Sequence, residues 1–206
     1  MIRVFIVDDH PVVRDGIAAV LNAESDVETV GMAESAEVML DAIERVRADV
    51  VLLDLALPGM SGVEATARLS RLVPRVPVVV FSAHDDDDAI VAAVGAGARG
   101  YVVKGAPGAE IVRAVREVHG GGSYFQGAAA AAVAAAVRNP RASDGLTPRE
   151  REVVRLVGDG LSNKQIASTL GITERTAKFH VRQIMSKLGA ENRAQAVALA
   201  TRRRLM

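Results

Sequence analysis

An α/β domain with a five-stranded parallel sheet, followed by a separate all-helical domain, is the architecture that this 206-residue sequence predicts. Three observations lead there. Short apolar runs alternate with helical patterns up to about residue 120, which is how right-handed strand–helix–strand crossovers read. Charge is divided along the chain: Met1 to Gly145 holds 13 Lys and Arg against 20 Asp and Glu, whereas Leu146 to Met206 holds 12 against 5. Beyond Gly145 the strand signals cease and helix-start signatures recur.

The first strand is Ile2 to Val7, followed by Asp8-Asp9-His10-Pro11. The fixed φ of Pro11 suits the opening of a helix to about Asn22, with Val12, Ile17, Val20 and Leu21 offered to a core. Val27 to Ala33 is a strand, and Ala36 to Val46 a helix whose apolar residues include Val38, Leu40, Ile43 and Val46. Val50 to Leu53 is a short apolar run, as in a strand buried on both faces. Pro58-Gly59 and Gly62 mark a turn, and Val63 to Leu72 is a helix with Val63, Ala67 and Leu72 roughly on one side. Val76 to Phe81 is the fourth strand, ending in Ser82, and Asp87 to about Gly95 the fourth helix. Gly100 to Val103 is the fifth strand, ending in Lys104, and Pro107 to His119 the fifth helix.

Gly120-Gly121-Gly122 breaks this alternation. The nearly all-alanine stretch Gly127 to Val137 reads as a connecting helix or as a flexible spacer, and Arg138 to Gly145 as a linker. Four short helices follow. Thr147-Pro-Arg-Glu150 and Ser162-Asn-Lys-Gln165 are capping boxes, Asn192-Arg-Ala-Gln195 resembles one, Thr173 can cap the helix between them, and Gly160, Gly171 and Gly189 are stops. Ser162–Leu170 and Thr173–Leu188, joined by a tight glycine turn, have the layout of a helix-turn-helix. The expected domains are residues 1–120, a linker with the Ala-rich helix over 121–145, and the helical domain over 146–206.

Half of the residues are apolar, enough for real cores. The absence of cysteine excludes disulfides, thiolate zinc sites and cysteine nucleophiles. No run reaches the ~18 apolar residues of a membrane span, and the chain starts directly as a strand, so a cytoplasmic protein without a signal peptide or membrane association is expected. An acidic half joined to a basic half directs the basic domain towards a polyanion.

Asp54 sits where a buried strand ends and a crossover begins, the edge at which open α/β sheets bind ligands; a surface Asp capping a turn is the alternative. In the flavodoxin-like strand order 2-1-3-4-5, strands one and three are neighbours, so Asp8, Asp9 and Asp54 converge. Ser82 and Lys104 end the flanking strands on the same edge. Three carboxylates together repel unless a cation is present, and oxygen-only ligands with access to water favour Mg²⁺. A metal ion and a lysine around a carboxylate are the parts that let it attack a phosphoryl group.

Asp8-Asp9, Asp54, Ser82, Tyr101 and Lys104, with the pattern Leu53-Asp54-x-x-Leu57-Pro58-Gly59-Met60-Ser61-Gly62, resemble the receiver domain of two-component response regulators over Met1 to His119. The resemblance implies that a sensor histidine kinase phosphorylates Asp54. It further implies that Asp9, Asp54 and the Ala56 carbonyl bind Mg²⁺ directly, with Asp8 acting through water. Lys104 would contact the phosphoryl group, Ser82 would hydrogen-bond it, and Tyr101 would turn inward to follow Ser82, although Tyr101 also suits plain strand packing. Ala56 is read as leaving the phosphate open to water. The run Asp85 to Asp88 is expected to be a solvated loop and helix start.

In the helix from Thr173 to Leu188, Ala177, Val181, Ile184 and Leu188 form an apolar face, and Arg175, Lys178, Phe179 and Arg182 lie on another. A core-facing stripe and a basic stripe on one helix suit seating in a major groove; a solvated basic face on a packing helix is the alternative. Lys178 and Arg182 are placed to reach guanine edges and Phe179 a thymine methyl, with Asn163, Lys164 and Lys187 on phosphates. The stretch Leu146 to Leu199 is similar to the LuxR-type helix-turn-helix that ends NarL/FixJ regulators, through Leu146-Thr-Pro-Arg-Glu-Arg-Glu152, Gly160-Leu-Ser-Asn-Lys-Gln-Ile-Ala167 and Lys178-Phe-His-Val181. Ala177 departs from the larger residue more usual there, and Arg202-Arg-Arg204 reads as a basic tail.

The expectation is therefore a transcription factor of the NarL/FixJ type, not a metabolic enzyme. Phosphorylation would shift a two-state receiver and free or dimerise a domain that binds double-stranded promoter DNA, with a homodimer as the phosphorylated form. Two rivals are weighed. A haloacid-dehalogenase-like phosphatase wants a second acid two residues after the nucleophile, where Ala56 stands. A ligand-sensing LuxR-type regulator needs a sensor cavity in the N-terminal half that the acid set occupies.

Overall fold

The structure, a computed structural model, describes residues 1–83, 87–138, 146–203 and 205–206. Its elements are β1 (Ile2–Val7), α1 (Pro11–Asn22), β2 (Val27–Ala33), α2 (Ala36–Val46), β3 (Val50–Leu53), α3 (Gly62–Leu72), β4 (Val78–Ser82), α4 (Asp87–Gly95), β5 (Gly100–Val103), α5 (Gly108–His119), β6 (Tyr124–Phe125), α6 (Ala128–Arg138), α7 (Pro148–Gly158), α8 (Asn163–Leu170), α9 (Glu174–Leu188) and α10 (Arg193–Arg202). The chain divides into two compact units, Met1–Ala134 and Ala135–Met206.

In the first unit all strand pairs are parallel, in the order β2-β1-β3-β4-β5-β6. The five predicted strands take their expected order, and β6 is added at the edge. Gly100 pairs with Tyr124 and Tyr101 with Phe125, and the Tyr124 N–H donates to the Arg99 carbonyl at 2.9 Å. A two-residue strand carries no periodicity by which a sequence could announce it. Every residue of β3 and β4 is buried, as expected of strands covered on both faces. Val4, Ile6, Leu52 and Val79 from the strands pack with Ile17 and Leu21 of α1 and Val115 and Val118 of α5. Full burial of such a side chain contributes about 1.5–3 kcal/mol.

The faces that α1, α2 and α3 turn to the core match their hydropathy only in part. In α1, Ile17 and Leu21 are buried but Val12 is 83% exposed. In α2 the buried residues are Ala36, Met39 and Ile43, while Val38 is exposed. In α3 they are Gly62, Ala65, Thr66 and Leu69, while Leu72 is exposed. Small residues at helical spacing let a helix approach closely, so the packed face need not hold the most apolar residues. β4 starts at Val78, two residues later than predicted, because Pro77 has no N–H to give a ladder. Pro107 is the N-cap of α5, not its first residue.

The Ala-rich segment is helical, as α6. The predicted linker from residue 139 to 145, Asp85 and Asp86 of the acidic run, and Arg204 of the basic tail lie outside the described residues; Asp87 and Asp88 open α4.

In the second unit the capping boxes at Thr147 and Ser162 form on both sides, and Thr173 and Asn192 cap α9 and α10 by accepting from Thr176 N and Gln195 N. Gly171 and Gly189 end α8 and α9 in the left-handed region, at φ +65° and +69°, where a side chain would be strained. Leu146, Val153, Val154, Ile166, Ala177, Ile184 and Leu188 form the core, with Val181 against it. The apolar stripe of α9 thus faces inward. No helix among the described residues is long and apolar enough to cross a membrane.

Candidate functional site

The parallel register brings the strand ends together. Val7 pairs with Leu53, so Asp8 and Asp54 each stand one residue past the β1–β3 ladder; the Asp54 N–H closes it on the Val7 carbonyl at 2.9 Å. On the other side Ser82 pairs with Val103, and the Lys104 N–H donates to the Ser82 carbonyl at 2.7 Å. Asp8 and Asp54 are each 1% exposed, Ser82 is fully buried and Tyr101 is 2% exposed.

Two carboxylates this deeply buried need a counter-charge, since an uncompensated buried ion is costly. Lys104 supplies it: its Nζ lies 2.5 Å from Asp8 Oδ2 and 2.8 Å from Asp54 Oδ2. The same ammonium sits 5.9 Å from the Phe81 ring centroid. Asp54 Oδ1 also accepts from the Ala56 N–H at 3.2 Å. Asp9 is more open, its side chain 30% exposed, with Oδ1 2.8 Å from His10 Nδ1.

Gly62 shapes the loop between β3 and α3. Its N–H donates to the Leu55 carbonyl at 2.9 Å, and an added Cβ would stand 2.1 Å from the Asp54 carbonyl oxygen. Only glycine lets the start of α3 lie so near the end of β3.

Ligand atoms of Asp8, Asp9 and His10 lie within 4.8 Å of one another. The carboxylates of Asp8 and Asp9 are hard oxygen donors of the kind that suit Mg²⁺, so these residues fit such an ion. His10 and Arg14 were not anticipated here. The His10 N–H donates to Asp8 Oδ1 at 2.9 Å, and Arg14 Nη1 to the Asp8 carbonyl at 2.5 Å. His10 was legible as the neighbour of two acids; Arg14 depends on how α1 leaves the strand.

In the second unit, α9 presents Lys178 and Arg182 to solvent and Arg175 half-buried, and α8 presents Lys164. Lys178 Nζ pairs with Glu174 Oε1 at 2.9 Å, and this ammonium holds the Glu174 carboxyl below the usual carboxylate range. Phe179, expected on the exposed stripe, is instead 4% exposed, its ring edge-on to His180 at 5.7 Å and 68°. Helical spacing placed it beside Lys178 and Arg182 but could not tell which way an aromatic between two faces would turn. Lys187 Nζ lies 2.8 Å from Oε2 of buried Glu150, whose Oε2 also accepts from Thr147 N in the α7 capping box. Asn163 Oδ1 accepts from Arg193 Nη1 at 3.4 Å.

Comparison with known proteins finds two families along the chain. Residues 4–116 match the family described as "Response regulator receiver domain", and residues 144–200 the family "Bacterial regulatory proteins, luxR family". The chain is 38% identical to the DNA-binding transcriptional activator DevR/DosR of Mycobacterium tuberculosis, over 98% of this chain and 94% of that one. It is 32% identical to the nitrate/nitrite response regulator NarL of Escherichia coli K12, over 98% and 96%. Among solved structures, the response regulator ChrA of a heme-sensing two-component system matches at a TM-score of 0.55 and 36% identity, covering 100% of this chain and 98% of that one. The chain therefore belongs to the NarL-type response regulators of two-component systems, DNA-binding transcriptional regulators that join a receiver domain to a LuxR-type helix-turn-helix domain.

Proposed function

We propose that Asp54 accepts a phosphoryl group from a sensor histidine kinase and that the resulting acyl phosphate switches DNA binding. A carboxylate oxygen of Asp54 attacks phosphorus, the bond from phosphorus to the kinase imidazole nitrogen breaks, and that nitrogen keeps the electron pair. Asp9, Asp54 and the Ala56 carbonyl would hold Mg²⁺, with Asp8 through water. The ion would neutralise charge on the transferred group. Lys104 would exchange its bond to Asp54 for one to the phosphoryl oxygens and Ser82 would hydrogen-bond them, while Tyr101, expected to turn inward after Ser82, is already buried and would keep that position. The observation that carries this reading is the Lys104 ammonium bridging two carboxylates that are each 1% exposed.

The functional division is a receiver over residues 1–120, a linker over 121–145 and a DNA-binding domain over 146–206. Arg175, Lys178 and Arg182 would face the major groove, with Lys164 and Asn163 towards phosphates. A base contact by Phe179 requires the ring to become exposed, and a phosphate contact by Lys187 requires it to leave Glu150. The phosphorylated form would be a homodimer on promoter DNA, and the protein a cytoplasmic switch, not a metabolic enzyme. Incubation with acetyl phosphate and Mg²⁺, followed by intact-mass measurement, tests the acceptor: one phosphoryl group on the wild type and none on Asp54→Asn is expected. Undiminished labelling of the variant would refute the assignment.

A further inference from the structure

Arg193 opens α10, yet its side chain reaches the start of α8, 30 residues earlier in the chain. Its Nη2 donates to the Leu161 carbonyl and its Nη1 to Asn163 Oδ1 at 3.4 Å. The planar fork of one guanidinium thus straddles Ser162, the residue that caps α8. Ser162 and Gln165 already close a capping box: the Ser162 N–H donates to Gln165 Oε1 at 2.8 Å, and the Gln165 N–H to Ser162 Oγ at 3.3 Å. The box orders the first turn of α8 from within, and Arg193 ties that turn to a second helix. Among the described residues, Arg193 is the side chain that hydrogen-bonds residues 161–163 from another element.

The bond to Asn163 also decides which end of its amide is spent. A guanidinium only donates and stays charged, so the end turned towards it is the oxygen. The Nδ2 hydrogens are left for an acceptor. A DNA phosphate only accepts, and this end of the amide is the one that suits it. Asn163 is half-buried and its neighbour Lys164 exposed, so the start of α8 stands at the surface of the helical domain.

We infer that Arg193 is a positioning residue for phosphate contact: it fixes the start of α8 and turns the Asn163 amide so that Nδ2, not Oδ1, is offered to the DNA backbone. The inference rests on the reading above that Asn163 faces phosphate. Both terminal nitrogens of Arg193 are engaged within the protein, so it acts through Asn163 and Leu161. A phosphate contact carries no base information, so its loss weakens every duplex alike.

Fluorescence anisotropy of the full chain on a selected duplex and on an unrelated one, at one salt concentration with acetyl phosphate and Mg²⁺ present, tests this. Asn163→Ala and Arg193→Ala are each expected to weaken binding to both duplexes, by about five- to ten-fold. The double variant should be no weaker than Arg193→Ala alone, as expected when one residue acts through the other. Asn163→Asp separates positioning from a merely structural bond, and it carries the test even where Arg193→Ala unfolds. It keeps an oxygen for Arg193, so thermal unfolding should stay at or above the wild-type temperature. It offers phosphate no donor, so DNA binding should fall at least as far as in Asn163→Ala. With Asn163→Ala weakened, wild-type affinity in Arg193→Ala, additive losses in the double variant, or wild-type affinity in Asn163→Asp would overturn the inference alone. Wild-type affinity in Asn163→Ala would overturn the phosphate reading of Asn163 and this inference with it.

Discussion

Lys104 and Lys178 are both lysines held by acids, and their surroundings give them different work. Lys104 is tied to two buried carboxylates at 2.5 and 2.8 Å, where water screens little. Lys104→Ala is expected to sever labelling from its effect: acetyl phosphate would still modify some of the protein, but DNA affinity, followed by fluorescence anisotropy, would no longer change with it. Coupling of wild-type size in the variant would contradict the role given to this side chain. Lys178 is 57% exposed at its side chain, and its Glu174 partner 47%. A carboxyl whose folded pKa is lowered stabilises above its unfolded pKa and loses that contribution as pH falls through the folded value. At neutral pH Glu174 is thus ionised and competes with DNA for Lys178. Glu174→Gln is expected to tighten DNA binding about two- to three-fold, a surface pair being weak. Weaker binding by the variant would mean that the pair presents Lys178 to DNA instead of withholding it. At this scale the sequence was most legible where an acid or lysine ended an apolar run, as at Asp8, Asp54 and Lys104. Arg14 and the Glu150–Lys187 pair were not legible, because each acts on a segment brought near only by folding.

At the scale of elements, the β3–α3 turn carries the largest local constraint. Gly62→Ala would place a methyl carbon 2.1 Å from the Asp54 carbonyl oxygen and 2.6 Å from Leu55 Cα, both backbone atoms that cannot swing aside. The turn has to shift, at a cost of about 1–3 kcal/mol or more. Urea denaturation should show that loss, and phosphorylation by acetyl phosphate should fall with it; a variant of wild-type stability would refute the close packing. Helix starts were legible because caps are chemical: Thr147, Ser162, Thr173 and Asn192 each accept the N–H three residues on. Helix faces were less so. Hydropathy favoured Val12, Val38 and Leu72, whereas packing buried Met39, Ala65 and Thr66, since shape at the sheet decides which face fits. The edge strand β6 has two residues and takes its identity from β5 alone.

For the whole molecule, the sequence divides an acidic α/β half from a basic helical half, and the fold assigns each half a task. Buried acids need cations at the sheet edge, and exposed cations on α8 and α9 suit a polyanion. That partition was readable from charge counts. The limit of the first compact unit at Ala134 was not, because β6 draws the chain back to the sheet after the three glycines. In the proposed switch, phosphorylation of Asp54 changes how tightly the helical domain binds DNA. The direct measurement is the affinity of the full chain for a DNA duplex obtained by binding-site selection, titrated at one salt concentration with and without acetyl phosphate and Mg²⁺. Tighter binding after phosphorylation is expected for the wild type and no change for Asp54→Asn. An equal shift in both proteins, or none in a wild type shown by mass to be phosphorylated, would contradict it.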